Sequence, residues 1–383
     1  MIYLDNAATT FPKPACVAQD VAACLRGFGV NPGRGGYRLS ARAGEAVFET
    51  RALLAALFEG TPERVIWTKN CTEAINIVLK GTLQPGDHVI ISSLEHNAVL
   101  RPLERLRQEN GVQNDVADVC PADPGQTVEN FAALIRPGTR LIFCTQVSNV
   151  FGTVLPVRAL GALAAQHGLR FGVDAAQGAG TEPISLRRDG VDYLCVPGHK
   201  GLFGPMGTGA LLLGKDVDVL PLTEGGTGSF SLSADQPQDY PDRLESGTLN
   251  LPGIVGLRAG LRCLRRVGMD AVRQHEQTLV RLLKEDLSVI PNVRLFDAMH
   301  TNGAGTLLSL TVGNAHSEQT AALLDDSGFA VRAGYHCAML AHTRHGTADA
   351  GTVRVSPGVF NTVPQIKNFI FCLNKIALGR KVC

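Results

Sequence analysis

The chain has 383 residues, of which 45% are hydrophobic and 19% charged, proportions typical of a globular protein long enough for two domains. Its net charge of +1, without any Lys/Arg-rich run, argues against nucleic-acid binding. No apolar run reaches transmembrane length, no signal-peptide pattern opens the chain, and the ten cysteines form no Cys-x-x-Cys pair. We therefore expect a protein of the reducing cytoplasm that does not bind membranes.

Short apolar runs alternate with amphipathic stretches through the first half of the chain. The runs predict strands at 65–68, 88–91, 141–144, 169–173, 193–196 and 209–213. Helical periodicity predicts helices at 72–83, 97–110 and 158–166. Apolar strands separated by helices are typical of an α/β fold with a mainly parallel sheet between helices.

The pattern of apolar and polar residues changes near residue 253. A helical pattern from 254 to about 287 precedes apolar runs at 293–296 and 306–310, as in a smaller α+β unit. We predict a large domain over 15–252 and a small domain formed by 1–14 and 253–383. The stretch 223–250 lacks periodicity, and a loop of that length is usually functional.

A lysine and an aspartate follow two of the predicted strands. Asp174 closes the run 169–173, and Lys200 stands between glycines directly after the run 193–196. Burial makes a lysine amine nucleophilic, and a nearby carboxylate suits a protonated ring nitrogen. The pair indicates a Schiff-base lysine and the ring partner of pyridoxal phosphate. The alternative is a surface turn beside a helix-capping aspartate.

Other polar residues also stand where predicted strands end, the edge at which α/β proteins bind ligands. Thr72 begins a predicted helix and is a candidate phosphate ligand or a plain N-cap. His96 is a candidate site residue or a solvated loop histidine. Asn149 and Gln177 could hydrogen-bond a ring hydroxyl or a carboxylate, or could simply occupy turns.

A cysteine near the end of the chain supplies a second chemical feature. Cys337 lies in a glycine-punctuated loop between predicted strands, so we expect it to be accessible. His336 and Arg332 nearby would favour its reactive thiolate. Arg354, on a predicted strand at 353–356, is a candidate clamp for a carboxylate, with Arg332 as a second.

A metal site is the competing interpretation of this region. Cys337, His336, His342 and His345 offer four ligands within ten residues. Their spacing matches no standard zinc pattern, so we predict no metal.

The motifs taken together resemble a known family over nearly the whole chain. In the family's order they are Tyr3 to Thr10, Thr72 to Asn76, Glu95 to Asn97, Ser148 to Gly152, Val173 to Gln177, Gly198 to Lys200, Glu245 to Thr248, Arg332 to Cys337, and Arg354 with Phe360 to Thr362. The sequence resembles cysteine desulfurases of the class V aminotransferase group, which have the pyridoxal-phosphate fold type I. The Arg-x-Gly-x-His-Cys-Ala segment is similar to the subgroup with sulfur-mobilisation desulfurases and selenocysteine lyases.

The resemblance implies roles around the cofactor ring. Lys200 would hold pyridoxal phosphate and move the substrate α-proton, while Asp174 would pair with the ring nitrogen. His96 would stack on the ring, and Gln177 would contact its hydroxyl. Cys337 would take sulfur from L-cysteine as a persulfide and pass it to an acceptor protein.

The resemblance also implies residues for the phosphate and the substrate. Thr72 and His199 would bind the cofactor phosphate, joined by Thr248 from the other subunit of a homodimer. Asn149 and Arg354 would hold the substrate carboxylate. Three departures from the family's pattern are Pro197, Cys71 and Tyr37, where relatives often have Ser or Thr, Thr, and His.

Three further functions remain open at this stage. A selenocysteine lyase would use the same site, and its better leaving group could make Cys337 dispensable. A transaminase of the same group would not need a loop thiol. A non-catalytic, protein-binding descendant would not need Lys200, Asp174, His96 or Arg354, all of which are present.

Overall fold

The computed structural model describes residues 1–33, 35–296 and 305–380, which leaves Arg34 and Cys383 outside the described residues. The strands are β1 Ile2–Tyr3, β2 Val65–Thr68, β3 His88–Ser92, β4 Gln113–Ala117, β5 Thr139–Thr145, β6 Arg170–Asp174, β7 Tyr193–Pro197, β8 Gly209–Leu213, β9 Val293–Phe296, β10 Leu308–Val312, β11 Phe329–Ala330, β12 Arg332–Gly334 and β13 Thr352–Val355. The helices are α1 Ala15–Gly27, α2 Arg38–Phe58, α3 Cys71–Thr82, α4 Asn97–Asn110, α5 Pro124–Ala132, α6 Val157–Gln166, α7 Leu251–Val267, α8 Met269–Leu287, α9 Ser317–Asp326, α10 Met339–Arg344 and α11 Val363–Ala377.

A seven-stranded sheet dominates the fold, with strand order β2-β8-β7-β6-β5-β3-β4. All neighbouring strands run parallel except β8, which is antiparallel to both β2 and β7. The predicted α/β class and mainly parallel sheet are confirmed. The edge strand β4 has no apolar run because it is half-exposed and starts Gln-Asn-Asp, so the sequence did not predict it.

Alternation along the strands sends side chains into two apolar layers. In β3, Ile90 packs into one cluster, while Val89 and Ile91 pack into the other. In β5, Ile142 and Phe143 are divided between the two clusters in the same way. Burial on both faces explains why these strands are apolar at successive positions.

A second, antiparallel sheet with order β12-β13-β10-β9 forms the C-terminal part of the chain. Its apolar face packs with α8 and α11 in a separate cluster that includes Leu4 from the N-terminal segment. The strand β1 pairs in parallel with β11, so both ends of the chain share this layer. The division into domains at 252/253 stays a prediction.

The predicted helix over 254–287 is wrong in one respect, because the structure has two helices there. Gly268 adopts φ +91° between α7 and α8 and ends the first helix. The helix α7 packs against α1 and α2, and its Ile254, Val255 and Leu257 join the core of the large sheet. The stretch 223–250 has no helix or strand, as predicted. Among the described helices, none has the length and apolar character needed to cross a membrane.

Candidate active site

A cavity of about 180 Å³ lies at the carboxyl ends of the parallel strands, bounded on one side by β12 and β13. This edge of an α/β sheet is where backbone ends and helix N-termini leave polar groups available to a ligand. The predicted site residues that line this cavity are Thr72, His96, Asn149, Asp174, Gln177, His199, Lys200, Arg332 and Arg354. The tertiary structure therefore brings together residues from positions 72 to 354 of the chain.

Lys200 stands in a tight turn shortly after β7, and positions 198 and 201 of this turn have no room for a side chain. A Cβ on Gly198 would lie 2.1 Å from Thr208 Oγ1, and a Cβ on Gly201 would lie 2.4 Å from the Ala179 carbonyl oxygen. Thr10 Oγ1 donates a 2.9 Å hydrogen bond to the Lys200 carbonyl. Burial, aided by the charge of Arg354, lowers the pKa of the Lys200 amine to about 8. A neutral, nucleophilic amine is thus accessible near neutral pH.

Asp174 is a buried carboxylate at the end of β6. Its Oδ1 accepts hydrogen bonds from the Ala176 backbone N–H at 2.8 Å and from the Cys71 thiol at 3.2 Å. Burial, with the negative charge of Asp174, raises the pKa of the Cys71 thiol well above its usual range, so this thiol remains a donor. At this departure from the family's pattern, the Cys71 thiol therefore acts as a hydrogen-bond donor to the carboxylate.

Two histidines in the cavity are neutral near pH 7. His96 is the N-cap of α4, and its Nδ1 accepts a 2.9 Å hydrogen bond from the Ala98 N–H, which leaves the proton on Nε2. Burial is the main cause that lowers the pKa of His96. Burial and the charges of Lys200 and Lys13 lower the pKa of His199 to about 4. His199 Nδ1 is buried and has no hydrogen-bond partner in the part of the chain that the structure describes, so it could bind a ligand atom.

Thr72 lies in the first turn of α3 but does not cap the helix. The N-cap is Asn70, whose Oδ1 accepts from the Glu73 N–H at 2.9 Å. The Thr72 side chain is therefore exposed at a helix N-terminus, where N–H groups favour an anion. Gln177, on the other side of the cavity, donates through Nε2 to the Ala7 carbonyl at 3.1 Å and leaves its Oε1 available.

Two arginines face each other across neighbouring strands at the cavity wall. Arg332 of β12 and Arg354 of β13 are direct cross-strand partners. Like charges opposite one another are unfavourable unless an anion lies between them. Arg354 is 1% exposed, and it donates to Asp5 Oδ1 at 2.8 Å and to the Asn149 carbonyl at 2.9 Å. Its Nε is buried and has no hydrogen-bond partner among the described residues, so this wall of the cavity has a donor free to bind a carboxylate.

Cys337 lies outside this cavity, in an exposed loop beside it, and the predicted accessibility is confirmed. His336 and Cys337 both have left-handed backbone, with φ +49° and +57°. Asn149 Nδ2 donates to the His336 carbonyl and the Asn97 N–H donates to the Cys337 carbonyl, both at 2.7 Å. These two hydrogen bonds hold an otherwise unfavourable backbone in place.

The prediction that His336 and Arg332 favour the Cys337 thiolate is wrong for His336, and for Arg332 it stays a prediction. His336 is 3% exposed, and its Nε2 lies 3.1 Å from the Thr352 carbonyl oxygen and hydroxyl. Burial, with repulsion from Arg354, lowers its pKa to about 2, so the ring is neutral. Its position one residue before the thiol places it in the wall of the neighbouring cavity rather than beside the sulfur.

The four possible metal ligands of this region do not converge. Cys337 is exposed, whereas His342 is buried with Nδ1 2.7 Å from Thr347 Oγ1, and the His345 ring contacts the Phe151 ring at a tilt of 52°. Within residues 1–33, 35–296 and 305–380, no group of three or more His, Cys, Asp or Glu side chains could hold a metal ion.

Two residues singled out in the sequence lie away from the cavity in this chain. Thr248 is exposed and lines a different cavity, beside Lys69 and Asn250. Tyr37 is 53% exposed and precedes α2. Pro197, in contrast, lines the site at the end of β7 and has no side-chain donor for a ligand.

Sequence reasoning missed two acids that shape the site. Asp5 forms the ion pair with Arg354, 349 residues away, and only its presence in the N-terminal motif could have suggested a role. Glu95 is fully buried, accepts from the Thr145 N–H at 2.8 Å and from the Ser92 hydroxyl, and burial raises its pKa to about 8. An acid beside His96 in the sequence carries no signal of such burial.

Comparison with known proteins decides the family. The Aminotransferase class-V family matches residues 2–369. The chain belongs to the class-V aminotransferase family. A probable cysteine desulfurase of Methanothermobacter thermautotrophicus is 35% identical, over 98% of this chain and 94% of that protein. A cysteine desulfurase of Dickeya dadantii is 32% identical, over 98% of this chain and 92% of that protein.

Solved structures of family members have the same fold. The apo structure of a cysteine desulfurase from Thermococcus onnurineus NA1 superimposes with TM-score 0.92 at 30% identity, covering 99% of this chain and 95% of that one. A cysteine desulfurase from Escherichia coli, with an S-sulfonic acid, superimposes with TM-score 0.88 at 28% identity, covering 98% and 94%. The predicted fold type and family resemblance are confirmed.

Proposed function

We propose that this class-V protein is a pyridoxal-phosphate-dependent cysteine desulfurase, which converts L-cysteine to L-alanine and carries the sulfur as a persulfide on Cys337. The observation that carries the proposal is the pairing of two reactive groups. A desolvated amine, that of Lys200, lies inside the cavity. An exposed thiol, that of Cys337, lies just outside it, directly after His336 in the cavity wall. A transaminase has no use for the second group.

The residues present fit pyridoxal phosphate. Lys200 would bind its aldehyde carbon, and the Asp174 carboxylate would pair with the ring nitrogen. The unpartnered Nδ1 of His199 and the helix N-terminus at Thr72 would hold the phosphate, and Gln177 would contact the ring hydroxyl. The bound cofactor supplies an electron sink for the charge left at the substrate Cα.

The substrate carboxylate would bind at the paired arginines. Arg354 and Arg332 supply two positive charges on facing strand positions, and the amide of Asn149 adjoins them. Because Arg354 is already aligned by Asp5, little side-chain entropy is lost on binding. The carboxylate would thereby be oriented with its Cα toward Lys200, which removes the α-proton near neutral pH as its pKa of about 8 allows.

His96 would support the ring rather than act as a cationic acid. Its neutral imidazole, with the proton on Nε2, suits stacking on an aromatic face and donation of one hydrogen bond.

The sulfur step uses the thiol of this chain. The Cys337 thiolate attacks the substrate sulfur, forming an S–S bond while the substrate Cβ–S bond breaks. The electron pair of that bond remains with the carbon skeleton. The skeleton takes up at Cβ the proton released by the Cys337 thiol, regains the α-proton from Lys200 and leaves as alanine. Cysteine and the Cys337 thiol thus become alanine and the Cys337 persulfide, and no external oxidant is needed.

A homodimer would complete the site. Thr248 lies away from the cavity of its own chain, in keeping with a role at the partner's phosphate. The neighbouring segment exposes Leu220, Leu222, Phe230 and Leu232, the last fully, as expected of a surface that another subunit covers.

Each described cysteine is free, which supports the proposed location in the reducing cytoplasm.

Single-turnover analysis of the Cys337→Ala variant tests the proposal. The wild-type holoenzyme with one equivalent of L-cysteine is expected to form alanine and to add the mass of one sulfur atom to the Cys337 peptide. The variant should bind cofactor normally but form alanine at least ~100-fold more slowly. Full alanine formation by the variant would overturn the mechanism.

The same pair of proteins separates the neighbouring functions. A selenocysteine lyase would retain its rate with selenocysteine in the Cys337→Ala variant, because the selenol leaves more readily. A transaminase would instead convert the cofactor to its amine form when an amino acid is added without a keto acid, and the change in cofactor absorbance would report this half-reaction.

A further inference from the structure

A groove on the outer surface meets the candidate active site at Cys337. It lies between α3 and α4 and is lined by Thr72, Asn76, Lys80, His96, Asn97, Ala98, Arg101, Pro102, Arg105 and Cys337. The hydrogen bond from the Asn97 N–H to the Cys337 carbonyl makes the sulfur-bearing loop one end of this groove. A molecule lying in the groove therefore reaches the thiol without entering the main cavity.

The charged side chains that line the groove all carry the same sign. Lys80, Arg101 and Arg105 are exposed, and no aspartate or glutamate among the described residues lines it. Glu109 pairs with Arg105 from outside the lining, so the excess is close to two positive charges. A concave basic surface concentrates anions and accelerates their association. The chain as a whole is almost neutral, with a net charge of +1, so this is a local concentration of charge.

Apolar side chains complete the surface around the thiol. Tyr335 and Met339, two residues before and after Cys337, are 49% and 59% exposed. Exposed aromatic and Met side chains beside a polar, charged rim are typical of a protein-binding surface. This surface is open and most of its lining residues are polar, unlike the mostly apolar clefts in which small molecules usually bind.

We propose that the groove formed by Lys80, Arg101 and Arg105 receives an acidic, thiol-bearing segment of the sulfur-acceptor protein. The inference rests on the proposed function, because it assigns the exit of the sulfur that Cys337 takes. The acceptor thiolate attacks the outer sulfur of the Cys337 persulfide. A new S–S bond forms on the acceptor, the old S–S bond breaks, and Cys337 leaves as a thiolate, so sulfur, charge and electrons balance.

The test compares two blocked pentapeptides as sulfur acceptors for the holoenzyme. One carries a central cysteine between four glutamates, and the other carries the same cysteine between four lysines. Each transfer rate from the preformed Cys337 persulfide is divided by the rate of that peptide with a small neutral disulfide, which removes the difference in thiol reactivity. The acidic peptide is expected to react about tenfold faster at low salt, and the preference should vanish near ~0.5 M salt.

Charge reversal locates the effect on the molecule. The triple variant K80E/R101E/R105E should prefer the basic peptide. The matched control R265E/R266E/K367E changes the same number of exposed charges on α7 and α11 and should keep the preference for the acidic peptide. Formation of alanine and of the Cys337 persulfide should be unchanged in both variants, because these residues are not in the proposed catalytic site.

Each other outcome counts against a distinct claim. Equal rates for the two peptides in the wild-type enzyme, with the persulfide formed normally, would overturn the groove as an acceptor site. A switch from dimer to monomer in the K80E/R101E/R105E variant, measured by light scattering, would assign the groove to a second copy of the chain and would equally overturn the inference. Failure of the wild type to form the persulfide at all would instead refute the proposed function.

Discussion

At the scale of single residues, the buried amine of Lys200 lowers the stability of the folded protein. Burial lowers the pKa of Lys200 from 10.5 to about 8, so the folded protein binds this proton less tightly than the unfolded chain does. Stability rises with pH wherever the unfolded state binds more protons. The cost is therefore fully present below about pH 8 and is relieved as the pH rises through about 10.5. Placing an amine here trades stability for reactivity.

We predict that Lys200→Met stabilises the cofactor-free protein at pH 7. The expected gain in the free energy of unfolding is about 1–3 kcal/mol, and it should shrink as the pH rises from 8 to 10. Urea unfolding at several pH values measures both effects, with Lys215→Met, an exposed lysine, as the control. A gain that does not depend on pH would refute the account.

At the scale of elements, the Cys337 loop is held by groups from two other segments. Asn149, after β5, and Asn97, at the start of α4, hold the carbonyls of the two left-handed residues His336 and Cys337. These two hydrogen bonds restrain the backbone of the loop, in addition to the burial of His336 and its contact with Thr352. Removing one of the two hydrogen bonds should release the loop without altering the helices and strands.

We predict that Asn149→Ala makes Cys337 more reactive to an external reagent. A hydrogen bond is worth about 0.5–1.5 kcal/mol, so alkylation by iodoacetamide should accelerate about 2- to 10-fold. Arg354 should remain in place, because it binds the main-chain carbonyl of residue 149. The rate is followed on the Cys337 peptide by mass spectrometry.

The control is Asn130→Ala, which removes a hydrogen bond from a side-chain amide to the Asp118 carbonyl elsewhere in the chain. It should leave the alkylation rate of Cys337 unchanged. Equal rates in the wild type and the Asn149 variant would mean that the Asn97 contact alone holds the loop.

At the scale of the whole molecule, the N-terminal segment links the two sheets. Thr9 and Thr10 donate to the carbonyls of His199 and Lys200, while Asp5 pairs with Arg354 and Leu4 packs in the small-sheet cluster. The first ten residues therefore connect the lysine turn to the strand with the carboxylate clamp. One continuous segment of the chain thus sets the distance between Lys200 and Arg354.

We predict that the site is also completed by a second subunit, through Thr248. A purified hybrid dimer with Lys200→Ala in one subunit and Thr248→Val in the other should retain about half of the wild-type activity, because one site then receives neither change. If Thr248 serves its own subunit, both sites are damaged and the hybrid should be no more active than half of the Thr248→Val homodimer.

Local pattern was enough for most of the central fold and for the identities of the site residues. The buried parallel strands have runs of successive apolar residues at their centres, and helix α4 begins at Asn97 and ends at Asn110 as its periodicity predicts. Polar residues at strand ends identified six of the residues that line the cavity. Arg332 and Arg354 were singled out as candidate carboxylate clamps, and His199 was implied only by the family resemblance. The sequence did not predict β4, because an edge strand needs no apolar run, nor the break at Gly268.

The sequence by itself determined the α/β class, the family and the chemistry available, since these depend on residue types in a fixed order. Only the tertiary structure decided what each group does. Burial makes His336 neutral and lowers the pKa of Lys200, and the pairing of β12 with β13 sets two arginines face to face. Burial, and contacts between residues far apart in the sequence such as Asp5 and Arg354, depend on how distant segments pack. A local sequence pattern carries no information on that packing.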